Sequence, residues 1–193
     1  MEEEKMNQKT GKLLVSYGFL LSLIITATSM VLSYLWLFSN FSIPQFLNTL
    51  FTILSICAST LIVVGFLAVF MANRKFLDLL IAVAFTATYA LDLAQSFGVF
   101  NPYAAGEITA AKAVTVLTLV AFIPYALWFI RLIKTAPAGA ISVLLSVIIA
   151  LFAPSLVARM FSPKQEMFTL LNMAVSITAC TLHTLAAFLD KKA

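Results

Sequence analysis

The chain has 193 residues, of which 62% are hydrophobic and 10% charged, and it carries a net charge of +4. Soluble domains hold about 45–50% apolar and ~25% charged residues, so this composition excludes an ordinary soluble domain. The length leaves room for membrane spans joined by short connections, and the basic residues flank apolar runs instead of forming a nucleic-acid surface with interleaved aromatics.

In chain order, the first element is a tail, residues 1–12, with Glu2, Glu3 and Glu4 beside Lys5, Lys9 and Lys12. Its acids, and the long apolar run that follows without a small-x-small site, do not read as a cleaved leader. Six apolar runs follow: Leu13–Phe38, Phe46–Ala72, Phe76–Phe97, Ala113–Ile130, Ala138–Ala158 and Met167–Leu189. About 20 mostly apolar residues cross ~30 Å of hydrocarbon as a helix. The runs therefore predict an all-α, polytopic integral membrane protein. Its six transmembrane helices form one compact bundle over residues 13–189, with a short tail at 190–193.

The gaps set the orientation. Lys5, Lys9, Lys12, Arg74, Lys75, Arg131, Lys134, Lys191 and Lys192 fall on one side, against Lys112, Arg159 and Lys164 on the other. The positive-inside rule then puts both termini in the cytoplasm of a multi-pass cell-membrane protein. Ser42-x-x-Gln45 and Ser162-Pro163-x-Gln165 resemble capping boxes and predict helix starts. Tyr34 and Trp36 at one boundary, and Tyr125 and Trp128 at the other, read as interfacial anchors. Pro124 and Pro154 fall within runs and predict kinks, and Arg131 is expected to snorkel to headgroups.

Polar residues recur at helical spacing inside the runs. Gln45, Asn48, Thr52, Ser55 and Ser59 share one face of the second. Ser22, Thr26, Ser29 and Ser33 do so in the first, Thr88, Asp92, Gln95 and Ser96 beside Tyr89 in the third, and Asn172, Ser176, Cys180 and His183 in the sixth. Lipid cannot hydrogen-bond these groups, so the four faces should turn inward. Thr115 with Thr118, and Ser142 with Ser146, are weaker stripes, which predicts that the fourth and fifth runs are peripheral.

Such faces serve either as interhelical glue or as a polar cavity open to the outer face. Asp92 favours the cavity: a carboxylate costs about 2.5–3.5 kcal/mol at mid-membrane, less at the place of Asp92 nearer the outer end of its span, and it needs partners there. Asp92, Tyr89, Gln95, Asn48, Thr52 and Asn172 are the candidate residues for binding a small solute or cation. The function expected is small-solute binding or transport. The alternative is a non-catalytic structural or assembly subunit of a larger membrane complex. The expected partners are the lipid bilayer, a small solute or cation, and partner membrane subunits, with no nucleic acid.

No paired acids, nucleophile–base pair or metal-ligand spacing appears, so neither an enzyme nor a cofactor is expected. Cys57 and Cys180 read as small packing residues, and His183 as a hydrogen-bonded structural histidine.

Overall fold

The computed structural model describes residues 2–39, 44–96, 107–161 and 165–192; within them, side chains are described except at 2–3, 36–38, 48, 92, 95–96, 107–119, 152–161, 165–172 and 192. The described chain is all-helical: α1 Glu2–Ser39, α2 Gln45–Asn73, α3 Phe76–Ser96, α4 Glu107–Thr135, α5 Pro137–Phe161 and α6 Gln165–Lys192. α1 starts at Glu2, so helix runs through the segment read as a tail.

α2 and α6 begin at the glutamines that the capping pattern singled out. The α2 cap position is Pro44, which makes no side-chain cap bond, while Ser42 and residues 162–164 lie outside the described residues. α2 ends on Arg74 in the left-handed region, φ 54°, whose N–H bonds to Phe70 O at 2.7 Å. α5 opens on Pro137, which suits a first helical turn because its N–H would be unpaired there in any case. Pro124 sits inside an α4 that continues on both sides of it.

Each helix packs on the next in sequence, and α6 returns to α1, so the six form a closed ring. The two short described connections, α2–α3 and α4–α5, lie at the end that also holds the start of α1 and the end of α6. Three stretches are long and apolar enough to cross a membrane: Glu4–Leu35, Gln45–Asn73 and Met173–Lys191. Phe76–Leu91 and Pro137–Leu151 are shorter apolar stretches. Large apolar side chains face outward on every helix, among them Ile24, Ile53, Val83, Ile130, Ile141 and Leu185, each about half exposed.

The tightest seam joins α1 to α2. A Cβ on Gly11 would lie 2.7 Å from Gly65 O, and one on Gly65 2.7 Å from Gly11 O. A Cβ on Gly18 would lie 2.8 Å from Ala58 O. Small residues two turns apart on both helices bring the backbones together, as in membrane helix pairs. Gly11→Ala and Gly65→Ala are each expected to lower stability by about 1–3 kcal/mol, because the clash is with backbone and forces the helices apart. At Gly139 the nearest atom to an added Cβ, Ala186 O, is 3.3 Å away. Gly139→Ala should therefore be clearly milder in the same thermal unfolding series.

The interior is layered. At the end holding the termini, Lys12, Asp78, Arg131 and Asp190 are each less than a tenth exposed. Arg131 Nε lies 3.3 Å from Asp78 Oδ1, and Arg131 Nη2 lies 3.2 Å from Asp190 Oδ2. Lys12 Nζ is 3.5 Å from Asp190 Oδ1, and Asn73 Nδ2 donates to Asp78 Oδ2 at 2.9 Å. Two cations and two carboxylates thus close this end as a neutral cluster drawn from α1, α3, α4 and α6, with an amide from α2. Arg131 was expected to snorkel; it is buried because two carboxylates from other helices meet it.

Above the ions lies an aromatic layer. Phe19 stacks on Trp128 with centroids 5.2 Å apart, and Phe66 stacks on Phe85 at 4.7 Å. Phe66 also meets Trp128 edge-on at 5.7 Å. Trp128 is fully buried and Tyr125 packs against this core, so neither is the boundary anchor that its sequence position implied. Both lie on the face of α4 that carries Arg131, and that face turns inward. α4 and α5 are accordingly integral to the ring: α5 contributes buried Ala140, Val143 and Ser146.

Candidate functional site

Above the aromatic layer the ring opens into two adjoining chambers. The inner one has a volume of about 190 Å3, and its walls include Phe19, Ser22, Ser59, Thr88, Tyr125 and His183. The second, about 310 Å3, is lined by Ser29, Phe51, Thr52, Ser55 and Leu93 among others. Ser59 and Tyr89 belong to both and mark the neck between them. Ser29, Thr52 and Ser55 are exposed, so the larger chamber communicates with the outside of the bundle.

The polar faces of α1, α2, α3 and α6 therefore converge on one space, and α4 adds Tyr125. Ser and Thr hydroxyls on helices ordinarily bond back to the carbonyl one turn earlier. Thr88 does this to Ala84 O at 3.0 Å, and Thr26 to Ser22 O at 2.9 Å. Thr26 Oγ1 also lies 3.6 Å from Cys180 Sγ across the α1–α6 seam. Tyr89 OH lies 3.2 Å from Thr60 Oγ1, which ties the neck residue to α2.

His183 is held on three sides. Its ring stacks on Tyr125 with centroids 4.2 Å apart and lies 5.8 Å from Phe19, and its Nε2 is 2.6 Å from Ser146 Oγ. Ser146 has one proton, and Val143 O at 2.7 Å can only accept it. The imidazole Nε2–H must then donate to Ser146 Oγ. In the neutral imidazole that bond selects the Nε2–H tautomer and leaves Nδ1 as an acceptor on a ring that lines the inner chamber.

Of the six candidate residues from sequence, the structure brings Thr52 and Tyr89 to the chambers. Asn48, Asp92, Gln95 and Asn172 lie within α2, α3 and α6, and their side chains are outside the described residues. Sequence reasoning missed Phe19, Phe85 and Tyr125 as cavity residues. Their signal was helical spacing from the polar positions: Phe19 is three residues before Ser22, and Phe85 three before Thr88. Among the described residues no group of three or more His, Cys, Asp or Glu side chains is arranged to hold a metal ion. Comparison with family models, curated proteins and solved structures finds no match.

Proposed function

We propose that this chain is a six-span membrane protein with cytoplasmic termini that binds or carries a small solute through the two chambers. The observation that carries this reading is the pair of hydroxyl- and aromatic-lined spaces at the centre of a ring whose outer surface is apolar. Inward polar faces in a lipid-exposed bundle either bond to one another across the seams or surround something polar, and these line open volume. The buried ion cluster and the aromatic layer seal the bundle at the cytoplasmic end, which leaves the chambers facing the outside. Asp92 and Gln95 follow Tyr89 on α3, Asn48 precedes Thr52 on α2, and Asn172 precedes Ser176 on α6. On this reading these four residues stand at the outer mouth and receive the solute or cation first.

The second reading, a non-catalytic subunit of a larger membrane complex, draws on α5. That helix presents Ile141, Leu144, Leu145, Ile148 and Leu151 outward, and none of its described side chains lines either chamber. Purification in lipid nanodiscs, with mass spectrometry of both small molecules and proteins, separates the two. A defined small molecule that is retained by the protein and absent from Ser59→Phe is the expected result. A stoichiometric protein partner with no retained solute would favour the subunit reading.

A further inference from the structure

We infer that the inner chamber selects an uncharged, ring-shaped molecule about the size of a monosubstituted benzene that carries one hydrogen-bond donor. The inference rests on the solute-binding reading and adds the chemical class of the ligand.

Volume sets the size. A cavity of roughly 150 Å3 lined by apolar side chains holds benzene, and this chamber is about 190 Å3. A single ring with one small substituent fills it.

The lining sets the charge. Its described side chains are Phe, Tyr, Ile, Val, Ser, Thr, Cys and His, with no Lys, Arg, Asp or Glu among them. The described charges nearest along the helices, Lys12 and Arg131, lie beyond the Phe19–Trp128 layer and are already committed to Asp78 and Asp190. Lys12 is two helical turns, ~10 Å, below Phe19. An ion entering this chamber loses its water and meets no counter-charge among the described lining residues, which disfavours it.

The walls set the shape. Phe19, Phe85 and Tyr125 each have one ring face covered, by Trp128, Phe66 and His183 respectively. Those contacts hold the rings rigidly, and their remaining edges and faces suit a flat aromatic guest, which prefers edge-to-face or offset contacts.

The polar groups set the substituent. Ser146 fixes His183 with Nδ1 as an acceptor, and the Thr88 hydroxyl proton goes to Ala84 O. The chamber thus offers His183 Nδ1 as a fixed acceptor, beside Ser22 and Ser59 hydroxyls that can donate or accept, and an O–H or N–H on the guest answers the imidazole.

The test is calorimetric titration of the full-length protein in nanodiscs at pH 7 with four single-ring probes: benzyl alcohol, toluene, benzoate and benzylammonium. Benzyl alcohol should bind saturably, and two variants on different helices of the lining, Ser59→Phe on α2 and Ser22→Leu on α1, should each abolish that binding. Both variants are checked for an unaltered size-exclusion profile. Benzoate and benzylammonium should bind weaker by about tenfold or more, and toluene by roughly threefold.

A charged probe that binds as tightly as benzyl alcohol, and is lost in Ser59→Phe, overturns the ligand class while leaving the cavity reading intact. Benzylammonium binding lost in Asp92→Asn would assign the site to cations instead. Toluene binding as tightly as benzyl alcohol would remove the His183 contact. Absence of saturable binding by any probe, or benzyl alcohol binding that neither variant alters, overturns the inference outright. In that case the accessibility of the chambers to water still judges the underlying reading separately.

Discussion

Replacing Arg131 by methionine should lower stability by about 3–5 kcal/mol, because it leaves the buried Asp78 carboxylate without its cation and Asp190 with Lys12 alone. Asp78 and Asp190 are each 3% exposed, and Arg131 is the cation that bridges them. Without it, Asp190 retains Lys12 and Asp78 retains only the Asn73 amide. The loss should be largely reversed by removing the charge it strands, so Arg131→Met with Asp78→Asn should be more stable than Arg131→Met alone. A double-mutant cycle on thermal or denaturant unfolding measures that coupling. An Arg131→Met protein as stable as the parent would mean that Arg131 lies at the headgroups after all. Arg131→Lys should fall between, since a lysine cannot reach both carboxylates with a planar fork.

The second large effect is expected one turn earlier on the same helix. Trp128→Ala should cost about 3–5 kcal/mol, the usual range for truncating a fully buried aromatic. Trp128 is 0% exposed and contacts Phe19 face-on and Phe66 edge-on. It also forms the floor between the inner chamber and the ions, so the variant should admit water to the cluster. Trp128→Phe should be far milder. It keeps an aromatic ring against Phe19 and removes an indole N–H that has no hydrogen-bond partner among the described residues.

These two residues show where sequence was legible and where it was not. The all-helical chain followed from apolar run length, which is a local signal; the capping residues Ser42 and Ser162 lie outside the described residues, and α2 takes Pro44 as its cap position without a side-chain bond. The convergence of Ser22, Ser29, Thr52, Ser55, Ser59, Thr88 and Tyr89 on one space followed from 3.6-residue periodicity. The ion cluster did not follow. Asp78 and Asp190 stand at the margins of apolar runs, where a charge looks solvated, and their partners come from other helices.

α4 was misjudged for a related reason. Its inward face carries Tyr125, Trp128 and Arg131, spaced by three residues, and rings near a run's end imitate an interfacial belt. In α4 the inward face was sought from Thr115 and Thr118 alone, which cannot reveal a face built from aromatics and a guanidinium. The same bias put weight on Asp92 and none on Asp78, although only the latter is described in a buried ion pair.

The central claim is a water-accessible chamber inside a membrane bundle, and single-cysteine accessibility tests it most directly. In a background lacking Cys57 and Cys180, cysteines at Thr52, Ser55 and Ser59 line the chambers, whereas Leu50 and Ile53 point outward from α2. Gly106 and Thr135 serve as controls for the two sides of the membrane. A small, membrane-impermeant thiol reagent applied to intact cells should modify positions 52, 55, 59 and 106 and leave 50, 53 and 135 unmodified. Protection of 52, 55 and 59 alongside 50 and 53 would mean that the polar faces are dry packing seams and would contradict the account.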